Sequence, residues 1–137
     1  MEPIIDIIEV PIAVEAFRHR MASNAGAIVE FSGIVRDTED GQPVSSAILR
    51  GIDYESFREM AYAELGRIAR DVIERYELTD LVCVHRIGFV PAHEAAVYIR
   101  TAARHRREAY DANIEFIEQL KRRVPIWKHP RYLEQGD

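Results

Sequence analysis

A chain of 137 residues, 47% hydrophobic and 30% charged, can bury one core but not two, and its balance is globular rather than disordered. Its single cysteine excludes an internal disulfide framework, and a net charge of −5 argues against general nucleic-acid binding, which favours a broad positive surface. The N-terminus, MEPIIDIIEV, has no basic region leading into a long apolar stretch, and no apolar run is long enough to span a bilayer. The expectation is therefore a soluble cytoplasmic protein with neither a nucleic acid nor a membrane as partner.

In chain order, Ile4 to Val10 reads as a first strand closed by Pro11. Ala13 to Met21 has helical spacing and is ended by Asn24-Ala25-Gly26. Ala27 to Arg36 is strand-like, and its internal Gly33 predicts a bulge or a close backbone approach. Asp37 to Pro43 is a turn-rich loop, and Val44 to Tyr54 a second strand expected to form a hairpin with the one before it. Ser56 and Glu59 have capping-box spacing ahead of a long helix. Its apolar stripe includes Met60, Ala61, Leu65, Ile68 and Val72, so it should pack on the sheet. Leu81 to Val90 and Ala95 to Thr101 read as two strands separated by the Pro91-to-Glu94 turn, with Cys83 a small buried apolar residue. His105 to Arg123 is the last helix, with Ala109, Ala112, Phe116, Ile117 and Leu120 inward and Pro125 as its stop. The sum is one α+β domain over residues 1–137, with a mostly antiparallel sheet and two main helices packed on it.

The charge is unevenly spread. From Arg100 to Arg131 nine basic residues face four acidic ones, so this segment is about +5 and the remainder about −10. A confined anionic ligand or an acidic partner segment fits that pattern. Of the 18 Lys and Arg residues only Lys121 and Lys128 are lysine. A lysine amine beside other cations can lose its proton and act as nucleophile or proton shuttle, which arginine cannot. An arginine-rich genome that left two lysines by chance is the competing reading, and the count alone does not separate them.

Arg104, His105, Arg106 and Arg107 crowd the start of the last helix, where the helix dipole makes cations unfavourable unless an anion binds there. Pairing of Arg104 with Glu108 and of Arg107 with Asp111 would make a solvated face instead, but leaves His105 and Arg106 unexplained. Arg122 and Arg123 read as ordinary complementation of the helix C-terminus, and Trp127 as a packing anchor. Arg36 ends a strand before a loop, a common place for a substrate-positioning group. His85, at a strand end, reads as hydrogen-bonded structure. His93 and His129 stand alone, and no metal-ligand spacing is present.

Five segments, GAIVEFSGIVR, IDYESFREMA, VHRIGFV, RHRREAYDANIEFIEQLK and VPIWK, occur together in this order. Over residues 26–128 the chain resembles the family of large, catalytic subunits of molybdopterin synthase, leaving 129–137 as a short tail. The resemblance implies a hammerhead-like α+β fold and a sulfurtransferase of molybdenum-cofactor biosynthesis. The substrate would be cyclic pyranopterin monophosphate, which gains two sulfurs to become a dithiolene, with no separate cofactor or metal. Sulfur would arrive as a thiocarboxylate on the Gly-Gly tail of a small ubiquitin-like subunit, in a heterotetramer built on a homodimer of this chain. The family's active-site lysines fall on Lys121 and Lys128, and its pterin- and phosphate-contacting residues on Arg36, His105 and Arg106. Ile34 and Val35, before Arg36, and His129 and Pro130, after the last lysine, are expected to line the same site. Ala92-His93-Glu94 departs from the family's usual Gly-Glu turn. The alternative is a paralogue that binds a ubiquitin-like sulfur carrier without catalysis.

Overall fold

The computed structural model describes residues 2–20, 23–38 and 49–132. Ten elements follow in order: β1 (Ile4–Ile8), α1 (Glu15–Arg18), β2 (Ala27–Ile34), β3 (Leu49–Ser56), α2 (Arg58–Tyr76), β4 (Asp80–Arg86), β5 (Gly88–Pro91), β6 (Ala95–Ala103), α3 (Arg106–Arg123) and β7 (Ile126–Tyr132). The strands form two sheets. One has the order β1-β4-β6-β2, antiparallel except for the parallel β1–β4 pair; the other is the antiparallel β5-β3-β7. The α+β class with a mostly antiparallel sheet and two main helices is as expected.

The four-stranded sheet is covered on both faces. Alternate residues Leu81, Cys83 and Ile99 join Leu65, Ile68 and Val72 of α2 and Phe116 and Leu120 of α3 in the main core. On the other face Val82, Val84 and Tyr98 pack under Ile4, Ile8, Val14 and Phe17, with the Phe17 and Tyr98 rings stacked at 5.6 Å. Burial on both faces explains why LVCV and AAVYI read as unbroken apolar runs. Cys83 is fully buried as expected, and burial pushes its thiol far above the ordinary value.

Under the N-terminal segment lies a buried ion cluster. Arg100, fully buried, donates from Nη1 to Asp80 Oδ2 at 2.9 Å and from Nη2 to the Arg20 carbonyl. Asp80 also receives Arg20 Nε at 2.8 Å and Nη2 at 3.2 Å. Arg100 is therefore part of the scaffold and not of a basic surface.

Several expectations are corrected. β2 and β3 are not hairpin partners: β2 pairs with β6, while β3 sits between β5 and β7 in the second sheet. Residues 39–48, which include most of the expected loop and the start of the second strand, lie outside the described residues. The expected strand 81–90 is two strands in different sheets, because Gly88 at φ +80° turns the chain between them. The expected helix at 13–21 is the single turn α1, with Met21 outside the described residues. The capping box does not form: Ser56 closes β3, its buried hydroxyl has no hydrogen-bond partner, and Phe57 occupies the N-cap. β7 was not expected as a strand. The Gly33 irregularity does occur, as a register shift between Gly33 and Ile34, and a Cβ on Gly33 would come within 2.7 Å of Val97 Cγ1.

Candidate active site

A cavity of about 760 Å³ opens where the two sheets meet the C-terminal end of α3. Its apolar wall includes Phe31, Val97, Ile117, Leu120, Val124 and Ile126. Its ionisable side chains among the described residues are Arg36, Tyr54, His85, Lys121 and Lys128, and no described carboxylate or side-chain amide lines it. Each group arrives by a different route. Arg36 follows the bulged end of β2. The preceding Val35 is held by its amide on the Glu94 carbonyl at 2.9 Å and by the His93 amide on its own carbonyl at 2.7 Å. Lys121 lies on the last turns of α3, and Leu120 one residue earlier is in the core. Pro125 ends the helix, Val124 is already extended, and β7 then pairs with β3 so that Lys128 stands directly opposite Tyr54.

The electrostatics are one-sided. Neither lysine has an ion pair or side-chain hydrogen bond among the described residues. Desolvation by the cavity wall lowers the Lys128 pKa from its ordinary value, and the charges of Lys121 and Arg36 lower it further. Several cations gathered beside a desolvating wall are suited to an anion, and their mutual repulsion raises the fraction of lysine amine able to take a proton.

His85 and Tyr54 were not singled out for the site, because both lie on strands that read as packing. His85 is buried, its Nδ1 lies 2.8 Å from the Arg86 carbonyl, and its ring meets that of Tyr54 edge-on at 5.3 Å. Burial lowers its pKa to about 4, opposed by the Arg86 hydrogen bond and assisted by the Lys128 charge. Burial raises the Tyr54 pKa. The useful signal in the sequence was alternation: His85 follows Leu81 and Cys83 at steps of two, on the face that turns toward the helices. Trp127, expected as an anchor, meets Phe57 edge-on at 5.0 Å and also lines the cavity.

Of the residues expected at the site, the structure brings together Ile34, Arg36, Lys121 and Lys128. Val35, His129, Pro130, His105 and Arg106 do not line this cavity. Val35 is buried behind it. His129 follows Lys128 on a strand and so faces the other way, where its Nε2 lies 3.0 Å from Glu55 Oε2. Pro130 pairs with Ile52 in the second sheet. His105 is the N-cap and Arg106 the first residue of α3. About fifteen residues separate Arg106 from Lys121, roughly 22 Å along a helix. The ion pairs that would have made this helix start a solvated face, Arg104 with Glu108 and Arg107 with Asp111, are absent among the described residues.

A cationic cavity beside an apolar wall, with no carboxylate among its described lining residues, is chemically suited to a confined anionic ligand. The family model described as MoaE protein matches residues 7–123, which takes in Arg36, His105, Arg106 and Lys121 and stops short of Lys128. The molybdopterin synthase catalytic subunit of Pyrococcus abyssi is 37% identical over 114 residues, covering 83% of this chain and 74% of that protein. That of Aspergillus fumigatus is 35% identical over 121 residues, covering 88% of this chain and 62% of the relative. The crystal structure of molybdopterin synthase from Staphylococcus aureus superposes with a TM-score of 0.83 at 32% identity, over 95% of this chain and 91% of that one. A complex of subunits 1 and 2 of molybdopterin-converting factor from Helicobacter pylori shares the fold, with a TM-score of 0.74 at 21% identity over 97% and 92% of the two chains. The chain belongs to the MoaE family, whose curated relatives are molybdopterin synthase catalytic subunits.

Proposed function

We propose that this chain carries out sulfur transfer as the catalytic subunit of a cytoplasmic molybdopterin synthase. It would convert cyclic pyranopterin monophosphate to the dithiolene by taking two sulfurs from the thiocarboxylated tail of a small ubiquitin-like subunit. The observation that carries this reading is the cavity that joins Arg36, Lys121 and a Lys128 of lowered pKa beside an apolar wall. Both reactants are anionic, and the site offers fixed cations in a partly desolvated setting, where they act more strongly than in water.

Each sulfur transfer requires proton movement as the acyl carbon releases sulfur and the pterin carbon accepts it. A lysine amine of lowered pKa can do that work near neutral pH, while Arg36 stays charged and holds an anionic group. The separation of His105 and Arg106 from this cavity has a simple consequence. The two ends of one α3 cannot touch one phosphate, so if the pair at the helix start binds substrate, it does so in the cavity of a second copy. A homodimer with a small subunit for each cavity satisfies that requirement.

The test is sulfur transfer by the purified chain mixed with thiocarboxylated small subunit and the pterin precursor. The wild type should form the dithiolene, and Lys128→Arg should lose about 100-fold or more in kcat while still binding the small subunit, because arginine keeps the charge but cannot shuttle the proton. Full activity in both Lys121→Arg and Lys128→Arg would remove the reactive-lysine account. Partner binding by the wild type without product would favour the non-catalytic binding module.

A further inference from the structure

Almost every ionisable group around the cavity donates hydrogen bonds, and a heterocyclic substrate needs acceptors as well. Arg36, Lys121 and Lys128 are donors when charged, and the Trp127 indole donates only. With both lysines charged, the acceptors among the described lining side chains are the hydroxyls of Ser32 and Tyr54 and one nitrogen of His85. The hydroxyls rotate and can donate instead. The imidazole is different because its geometry fixes its role. A carbonyl oxygen only accepts, so the 2.8 Å contact with the Arg86 carbonyl requires the hydrogen on Nδ1. In the neutral ring Nε2 must then carry a lone pair, and it has no hydrogen-bond partner among the described residues. The Tyr54 edge contact and the burial of the residue hold the ring in place.

We propose that His85 is a specificity-determining residue of this cavity, its Nε2 accepting a hydrogen bond from an N–H of the substrate's heterocycle. This rests on the pterin reading above and adds to it a residue that selects the ring, as opposed to residues that attract its phosphate. Burial and the neighbouring Lys128 keep the imidazole neutral through the physiological range, so the acceptor persists there. A ligand that lacks the matching donor leaves Nε2 desolvated and unpaired, which is why such contacts discriminate strongly.

The experiment compares wild type, His85→Leu and His85→Gln in the assembled complex with thiocarboxylated small subunit. Each is assayed with the pterin precursor and with a series of analogues, each methylated at a different ring nitrogen, and thermal unfolding is followed in parallel. Leucine removes the acceptor, whereas a glutamine amide oxygen can replace Nε2. His85→Leu should raise KM for the pterin about tenfold or more with kcat within about threefold, and His85→Gln should recover most of the loss. At least one methylated analogue should bind the wild type more weakly than the parent and lose that penalty in His85→Leu. An unchanged KM, a loss confined to kcat, or analogue discrimination that survives in His85→Leu would each overturn the proposal, as would equal KM losses in both variants. If His85→Leu does not fold, the Gln variant and the analogue series on the wild type decide the matter: discrimination with near-normal KM in His85→Gln supports the acceptor, and indifference to methylation refutes it. A wild type that transfers sulfur normally while His85 proves indifferent refutes only this inference, whereas a wild type that neither binds the pterin nor makes product removes the functional reading beneath it.

Discussion

Arg100 and Lys128 are both cations that the fold desolvates, one wholly and one only in part, and the protein treats them in opposite ways. Arg100 is fully buried in the scaffold, but Asp80 and the Arg20 carbonyl meet its guanidinium, and Arg20 closes the cluster from the surface side. Lys128 remains exposed on one side and is desolvated only in part, yet the charged groups that act on it are two further cations. Burial of a charge therefore does not mark a site in this fold. Partial desolvation among like charges is the more informative signal, because a compensated ion serves packing while a cation set beside other cations favours an anion or loss of its proton.

The largest effect expected from breaking this comparison is on the Arg100 side. Asp80→Ala should lower stability by about 3–5 kcal/mol, since it leaves a buried guanidinium without its partner. Lys128→Met removes a charge that has no ion pair among the described residues, so chemical denaturation should find it at least as stable as the wild type. A mild Asp80→Ala together with a destabilised Lys128→Met would reverse the assignment of scaffold and site.

The next effect comes from His85. Its pKa is about 4 in the folded protein against 6.5 ordinarily, so the folded state binds fewer protons than the unfolded one between those values. The sign follows: the contribution is complete above pH 6.5 and is lost as pH falls toward 4, by roughly 3 kcal/mol in all. Denaturation curves between pH 7 and 4 should show this loss, and His85→Leu should flatten it. The smallest effect belongs to the exposed pair of His129 and Glu55 at 3.0 Å, where His129→Ala should change stability by no more than about 0.5 kcal/mol.

The parts of the molecule that were readable in its sequence are those set by local periodicity. α2 and α3, the glycine irregularity in β2 and the burial of Cys83 all follow from spacing and residue type. Pairing was harder. β2 and β3 look like neighbours along the chain, but which strands a half-buried strand joins depends on partners far away in sequence, and β7 is too polar to declare itself as a strand. That pairing bears directly on the site, because the β7–β3 register is what sets Lys128 against Tyr54. Lys121, Lys128 and Arg36 were legible from the scarcity of lysine and from family resemblance. His85 was not, since a histidine in an apolar strand resembles ordinary structure until the cavity beside it is seen. His105 and Arg106 were legible as a basic helix start, and the length of α3 sets them at the opposite end of that helix from Lys121.

The scarcity of lysine also makes the central claim directly measurable. Reductive methylation with a labelled methyl donor marks just two side-chain amines, apart from the N-terminus, and their resonances can be followed against pH by NMR. The account predicts that one lysine, assigned to Lys128 by its disappearance in Lys128→Arg, titrates clearly below the ordinary value near 10.5. In Lys121→Met its titration should move back upward, since a neighbouring cation has been removed. Two lysines that both titrate near 10.5, with no response of one to loss of the other, would contradict it.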